Sequence, residues 1–195
     1  MHDKKPLITH QVEKLSEFKY PIFLVANTSE QVQNYIHNID ISKITAFIID
    51  DYDIIESKDI RSPLIGLYTA FKELHHLNYQ YAFILSCDNP FINIDVIKFM
   101  IKQLAFSDAC MPVWDNHYVE PLFAIYKITP FLKRAQENLN DRCFKLSKLL
   151  DQAKLKIKYV SIENEIKLLD DKLESFINLN EEADLSNFNY IKSIK

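Results

Sequence analysis

The chain alternates short, mostly apolar runs with amphipathic segments, and this alternation restricts its fold more than any other feature. Apolar runs occupy residues 22–26, 44–49 and 83–85, and each leads through a polar turn into residues with helical spacing. The run at 83–85 shows no polar alternation, which is typical of an inner strand of a parallel sheet. The pattern predicts a three-layer α/β/α, Rossmann-like fold with a mostly parallel sheet.

Further elements follow from the same periodicity and from turn residues. Ser62 and Pro63 are suited to cap and open a helix. Other helices are predicted at residues 11–19, from the cap at 27–30 to about 37, at 94–104, 130–138 and 143–152, and from about 181. Strands are predicted at residues 109–113, 120–126 and 157–160.

Size and composition indicate one compact unit. The 195 residues are 48% hydrophobic, which is enough for one substantial core, so we expect a single domain over 1–195. Cys87, Cys110 and Cys143 are too widely spaced to indicate a zinc site or a disulfide framework. A net charge of −4 with dispersed basic residues predicts no nucleic-acid partner. The absence of a long apolar run predicts a cytoplasmic protein without a membrane partner.

Asp88 follows the third apolar run directly, at Cys87-Asp88-Asn89-Pro90. Ligands of parallel sheets bind beyond the carboxyl ends of the strands, so this carboxylate is placed to hold a metal ion against phosphate oxygens. The alternative is that Asp88 only begins a turn or caps the next helix.

Glycine is almost absent from the chain, with Gly66 its single occurrence against an average near 7%. A Walker A loop and a dinucleotide-binding fingerprint are therefore excluded within these residues. Binding of an anionic substrate would therefore need positive charge from a metal ion or a lysine.

Five stretches in order resemble the molybdenum cofactor guanylyltransferase family of nucleotidyltransferases. They are Lys5-Pro6-Leu7-Ile8, Ser62-Pro63-Leu64-Ile65-Gly66-Leu67, Cys87-Asp88-Asn89-Pro90-Phe91, Glu120-Pro121-Leu122-Phe123-Ala124-Ile125-Tyr126 and Phe176-Ile177-Asn178-Leu179-Asn180. Each stretch alone is a weak signal, but together they cover nearly the whole chain in the family's order.

The resemblance implies transfer of GMP, or alternatively CMP, from a nucleoside triphosphate to a phosphorylated acceptor. GTP and molybdopterin would be the substrates, and pyrophosphate would leave. Asp88 would bind Mg²⁺ as a catalytic ligand, and Lys5 would contact the phosphates. Lys5 is equally well explained as a surface lysine. Candidate protein partners are a second copy of the chain and other proteins of molybdenum cofactor synthesis.

The remaining implied site residues are amides and acids near strand ends. Asn27 would contact the nucleotide, and either Asp51, which is slightly preferred, or Asp50 would contact the guanine or its ribose. Asn178 and Asn180 would contribute to the acceptor region, with Asn180 also near the metal. The alternatives are an N-cap for Asn27, solvated turn acids, and structural turn amides.

The sequence also departs from the family pattern. In the family, a first strand and a glycine-rich loop precede the point that matches the start of this chain. Three explanations for their absence from the sequence are open: a misassigned or truncated start, a rearranged sheet, or a decayed relative. Ser62 replaces a common glycine and Glu120 a glutamine. The loop at 114–120, with Trp114, either lines an acceptor pocket or only packs. A second hypothesis is therefore a non-catalytic nucleotide-binding or regulatory homologue, and a third is a transferase for another phosphorylated acceptor.

Overall fold

The computed structural model describes residues 6–55, 60–150 and 155–179. Its helices are α1 (Leu7–Leu15), α2 (Ser29–Asn38), α3 (Pro63–His76), α4 (Ile94–Leu104) and α5 (Ile128–Asn140). Its strands are β1 (Phe23–Ala26), β2 (Ala46–Ile49), β3 (Tyr81–Leu85), β4 (Ala109–Val113), β5 (Phe123–Lys127) and β6 (Ile157–Ser161). Short 3₁₀ turns lie at Ser16–Phe18, Ile41–Lys43, Leu146–Leu149, Ile166–Leu168 and Glu174–Phe176.

The described strands form two sheets. β1 and β2 pair in parallel, and the other four strands lie in the order β3-β5-β4-β6. β5 runs antiparallel to both of its neighbours, whereas β4 and β6 are parallel. The prediction that β3 is an inner strand of a parallel sheet was wrong in this respect, because β3 ends its sheet and pairs antiparallel with β5. An apolar run encodes burial, but it does not encode the direction of its partner.

Helices cover both faces of the four-stranded sheet, which confirms the predicted three-layer α/β/α architecture. The centre of the sheet is β5, whose side chains alternate between two cores. Tyr126 packs with Phe71 of α3 and Phe131 of α5 on one face. Ile125 packs with Met100 of α4 on the other face. All five side chains are almost completely buried, so β5 connects the two cores.

Two predicted helices differ from the observed ones. The first begins at Leu7 rather than residue 11 and gives way to a 3₁₀ turn, which ends where Lys19 takes a positive φ of 57°. In the segment predicted as a helix at 143–152, only the 3₁₀ turn Leu146–Leu149 forms among the described residues. The reversal before it, with Arg142 at a φ of 54°, shows that local turn geometry overrode helical periodicity. The helix predicted from residue 181 lies outside the described residues.

Within the described ranges, no helix is both long and apolar enough to cross a bilayer.

The start of α3 is fixed by Ser62, as its sequence predicts. The Ser62 hydroxyl oxygen accepts a hydrogen bond from the backbone N–H of Leu64 at 3.2 Å, and Pro63 occupies the first turn. The same hydroxyl donates to the carbonyl of Phe144 at 2.8 Å. One side chain thus caps a helix and ties it to a segment 82 residues later.

We predict that Ser62→Ala lowers the free energy of unfolding by about 1–3 kcal/mol, because it removes the cap and leaves the Phe144 carbonyl without this donor. Urea denaturation would measure the change. Thr28→Ala, which removes only a cap from the exposed start of α2, should cost about 1 kcal/mol. A loss no larger for Ser62→Ala than for Thr28→Ala would contradict a role for the bond to Phe144.

Candidate functional site

Asp88 lies three residues beyond the carboxyl end of β3, in the turn before α4. The residue is partly exposed, but its Oδ1 atom is buried and has no hydrogen-bond partner among the described residues. The helix that follows is capped by the side chain of Asn93, which accepts from the N–H of Asp95 at 2.9 Å. Asp88 is therefore not the cap of α4, and its carboxylate retains a free coordination position.

The terminal part of the described chain lies against this turn. The backbone N–H of Leu179 donates to the carbonyl of Asp88 at 2.8 Å. The Asn89 side-chain amide donates to Oδ1 of Asn178 at 2.6 Å. Two predicted stretches that are about ninety residues apart are thus brought together, with Asn178 beside Asp88. Asn180 lies outside the described residues.

A buried acid secures this terminal segment. Asp170, 6% exposed, accepts hydrogen bonds from the backbone N–H groups of Glu174 and Ser175 at 3.0 and 2.9 Å. The Ser175 hydroxyl in turn accepts from the N–H of Asn93 at the start of α4. Because charge-assisted bonds to a buried carboxylate are strong, residues 174–175 are held firmly beneath the Asp88 turn.

Gln11 is a site residue that sequence reasoning missed. It lies in α1, is 4% exposed, and donates through Nε2 to the carbonyls of Ser86 at 2.6 Å and Asn89 at 2.9 Å. These two bonds close the turn that carries Asp88. The available signal was the position of Gln11 next to the apolar Val12, at the start of the segment predicted as the first helix; both residues are buried in α1.

Glu120 is the second acid near Asp88. It precedes β5, which begins at the same end of the sheet at which β3 finishes. Burial raises the pKa of the Glu120 carboxyl, a hydrogen bond from Trp114 Nε1 at 2.7 Å partly offsets this, and the charge of Asp88 adds to the increase. The sequence marked Glu120 only as a departure from the family pattern.

The residues after β1 and β2 lie side by side. Ala26 and Ile49 are paired as the last residues of the two parallel strands. The next residues along the chain, Asn27 and Asp50, therefore begin at neighbouring positions. Asn27 is exposed, and Thr28, not Asn27, caps α2 by accepting from the N–H of Gln31 at 3.2 Å. The N-cap explanation for the Asn27 side chain is thereby removed.

The contacts distinguish Asp50 from Asp51. Asp51 Oδ2 forms an ion pair with Lys72 at 2.6 Å, which lowers the Asp51 pKa, and Oδ1 accepts from the N–H of Asp53. Asp50 Oδ1 is buried and lacks a partner among the described residues, and burial raises the Asp50 pKa. The oxygens of Asp51 are thus engaged by Lys72 of α3 and by its own turn, whereas Asp50 Oδ1 has no partner among the described residues.

Both sheets present these residues at the same end. The rings of Phe23, at the start of β1, and Tyr79, just before β3, pack edge to face at 5.7 Å. At the other ends of these strands, the Tyr35 hydroxyl of α2 accepts a hydrogen bond from Gln31 Nε2, and Gln31 Oε1 accepts one from the backbone N–H of Asn27. Burial and then the neighbouring Cys87 raise the pKa of Tyr35, which places this hydroxyl close to the residue before Asp88. β1 and β3 thus start at the same edge of the structure and end at the same edge. Asn27 and Asp50 therefore lie on the same rim as Asp88, where the rim is the edge at which β1, β2 and β3 end.

Two limits apply to this set. Lys5, predicted to contact phosphate, lies outside the described residues. In the ranges 6–55, 60–150 and 155–179, no group of three or more His, Cys, Asp or Glu side chains forms a complete protein metal site. A metal ion here would need substrate oxygens or water to complete its coordination, as Mg²⁺ commonly does.

Solved structures share this fold. The molybdopterin-guanine dinucleotide biosynthesis protein A of Archaeoglobus fulgidus matches with a TM-score of 0.72 and 23% identity, over 97% of this chain and 86% of that one. The 4-diphosphocytidyl-2C-methyl-D-erythritol synthase of Anaerococcus prevotii gives a TM-score of 0.60 at 13% identity, over 96% and 88% of the two chains.

Sequence comparison is more specific. The chain is 30% identical to the "Probable molybdenum cofactor guanylyltransferase" of Natranaerobius thermophilus, over 93% of this chain and 80% of that protein. It is 24% identical to the molybdenum cofactor guanylyltransferase of Vibrio campbellii, over 98% of this chain and 85% of that protein. Residues 1–154 match the model of the MobA-like NTP transferase domain. The chain therefore belongs to the MobA-like NTP transferase domain family, a family of nucleotidyltransferase enzymes.

Proposed function

We propose that the protein transfers GMP from GTP to molybdopterin in a Mg²⁺-dependent reaction that releases pyrophosphate. The observation that carries the proposal is the buried Oδ1 of Asp88, which has no hydrogen-bond partner among the described residues and lies beside Asn178, on the rim shared with Asn27 and Asp50. The names of the curated relatives support guanylyl transfer within this family. A cytoplasmic location, a homo-oligomeric state and a single-domain chain remain predictions.

The reaction needs no protein nucleophile. A phosphate oxygen of the acceptor bonds to the α-phosphorus of GTP, and the bond to the bridging oxygen breaks so that pyrophosphate leaves with the electron pair. Negative charge grows on the leaving and non-bridging oxygens, so the site must supply positive charge and fixed geometry. Lys5 is proposed as one such charge on the phosphates.

Asp88 fits a role in holding the metal ion. A carboxylate oxygen is a hard ligand of the kind that Mg²⁺ prefers, and Asp88 Oδ1 is not used by any other described group. When bound, Mg²⁺ supplies Lewis-acid charge to the phosphate oxygens. Gln11 and Leu179 fix the backbone around Asp88, so its carboxylate is preorganised. Asn180 is proposed as a further ligand.

Nucleotide recognition is proposed for the β1 and β2 ends. Asn27 presents an exposed amide, and Asp50 has a buried carboxylate oxygen that lacks a partner within ranges 6–55, 60–150 and 155–179 and would accept from a guanine or ribose donor. The committed oxygens of Asp51 reverse its slight preference over Asp50. Asn178, which accepts from Asn89 through Oδ1, keeps its side-chain amide nitrogen for the acceptor.

We predict that Asp88→Asn lowers the rate of pyrophosphate release from GTP, with molybdopterin and Mg²⁺ present, by about 100-fold or more, because a neutral amide is a weaker metal ligand. The full-length protein should be assayed at saturating substrates. Asp95→Asn is the matched control, since Asp95 is an exposed acid seven residues later whose side chain forms an ion pair with the exposed Lys98.

Unchanged turnover in Asp88→Asn would remove Asp88 from the mechanism. GTP binding without any transfer by the unmodified protein would instead favour the non-catalytic nucleotide-binding homologue. Transfer to a different phosphorylated acceptor would retain the chemistry and change the assigned substrate.

A second pair of variants tests the nucleotide contact. Asp50→Asn should raise the KM for GTP by about 10-fold or more, the worth of one hydrogen bond to a charged group. Asp51→Asn should leave this KM within about twofold and cost about 0–1 kcal/mol of stability, since its ion pair with Lys72 is partly exposed. The reverse pattern of KM values would restore Asp51 as the nucleotide contact.

Stability measurements on Asp50→Asn give an independent check. Burial raises the folded-state pKa of Asp50 above its ordinary value of 3.8, so the folded protein binds the proton more tightly than the unfolded chain. Ionisation therefore destabilises the fold as the pH rises through this interval. The variant should unfold at higher urea than wild type near about pH 7 and at similar urea near about pH 3. Lower stability of the variant than of wild type near neutral pH would contradict a net cost of burying this carboxylate, which the charge of Arg61 and a hydrogen bond with Tyr52 offset only in part.

A further inference from the structure

Glu120 holds an indole rather than pointing freely into the site. Its Oε1 accepts a hydrogen bond from Trp114 Nε1 at 2.7 Å. The two residues lie at opposite ends of a tight turn between β4 and β5, which is closed by a bond from the Trp114 N–H to the Tyr118 carbonyl and by a bridge between Val113 and Val119. The side-chain bond therefore fixes the orientation of the indole on an already rigid turn.

The Trp114 ring packs on the terminal segment. Its centroid lies 5.7 Å from that of Phe176, with the rings at 69°. Phe176 also contacts Phe123 of β5 at 5.0 Å, and Phe123 contacts Phe83 of β3 at 5.2 Å. Aromatic pairs in this edge-to-face geometry are specific in direction as well as apolar, so Trp114 forms one wall of the socket for Phe176.

Phe176 is followed by the residues that contact the Asp88 turn. Asn178 accepts from Asn89, and the N–H of Leu179 donates to the Asp88 carbonyl. A continuous series of contacts thus runs from Glu120 through Trp114 and Phe176 to Asp88. The loop at 114–120 and the terminal segment are coupled by side chains, although they are far apart in sequence.

We propose that Glu120 is a positioning residue, which holds Trp114 against Phe176 and thereby keeps residues 176–179 on the Asp88 turn for acceptor binding. This inference rests on the proposed guanylyltransferase function and extends it to a residue outside the predicted site. The role requires an acceptor oxygen at Glu120 and not its charge. A glutamine, which the family resemblance places at this position, would supply the same oxygen.

A role for the charge itself is the competing explanation, because Asp88 lies close enough for its charge to affect Glu120. The two explanations differ in the behaviour of Glu120→Gln. If Glu120 acts by positioning Trp114, the Glu120→Gln variant retains the hydrogen bond from the indole N–H, because the Gln side-chain carbonyl also accepts it. The Glu120→Ala variant loses this bond. If the negative charge of Glu120 instead binds the metal ion or the acceptor, Glu120→Gln impairs activity as much as Glu120→Ala does.

The experiment compares Glu120→Ala, Glu120→Gln and Trp114→Phe in the full-length protein. Glu163→Ala is the control, because Glu163 accepts a hydrogen bond from the backbone N–H of Asp115 on the same turn, whereas the indole N–H of Trp114 donates to Glu120. Hydrogen exchange of a peptide covering residues 173–179 should be about 10-fold faster in Glu120→Ala and Trp114→Phe and unchanged in the other two. Trp114 is the chain's single tryptophan, so acrylamide quenching of its fluorescence should rise in Glu120→Ala alone among the Trp-containing variants.

Steady-state kinetics test the functional part. Glu120→Ala and Trp114→Phe should raise the KM for molybdopterin by about 10-fold while the KM for GTP stays within about twofold, and Gln should restore the molybdopterin KM. Thermal unfolding identifies any variant that does not fold. If Glu120→Ala does not fold, Trp114→Phe still tests the same contact.

Equal damage by Gln and Ala, or unchanged exchange of residues 173–179 in Glu120→Ala, would overturn the proposal. The exchange and fluorescence measurements need no turnover, so their failure is distinguishable from failure of the proposed function. If wild type does not transfer GMP while the exchange pattern holds, the guanylyltransferase assignment fails and the positioning contact survives.

Discussion

The hydrogen bonds between the Asp88 turn and the terminal segment are the constraint on which the proposed site depends. Leu179 donates to the Asp88 carbonyl, Asn89 donates to Asn178, and Gln11 bonds the turn from the opposite side. These contacts join three distant parts of the chain around one carboxylate. Because the backbone of this turn is satisfied by the protein, the carboxylate does not need to fold back onto it, and one oxygen stays free for a ligand.

The acids at the proposed site explain why the proposed reaction would require a cation. Asp50, Asp88 and Glu120 lie at the rim where a polyphosphate is proposed to bind, and burial raises the pKa of Asp50 and Glu120. Placing a triphosphate there without a counter-charge would be strongly unfavourable. A divalent ion held by Asp88 would offset this repulsion, and Arg61, which interacts with Asp50, would add positive charge beside the proposed nucleotide contact.

The sequence predicted local features well and long-range contacts poorly. The bounds of α4 and β4 and the cap at Ser62 follow from residue types that act within a few positions. The antiparallel insertion of β5 and the bonds of Gln11 depend on packing between distant segments, which a single sequence does not encode. The ion pair of Asp51 is also a long-range contact, because Lys72 lies in α3, 21 residues later. The sequence alone therefore could not separate Asp50 from Asp51 by their contacts. The family pattern predicted Asp88 and Asn178 as site residues, and the fold brings their two segments into contact.

The most direct test of the account is a crystal structure of the full-length protein with GTP and Mn²⁺ in place of Mg²⁺, in which anomalous scattering locates the ion. The account predicts one ion within coordination distance of Asp88 Oδ1 and of triphosphate oxygens, at the rim that carries Asn27 and Asp50. An ion bound away from Asp88, or a nucleotide bound at this rim with the Asp88 carboxylate uninvolved, would contradict it.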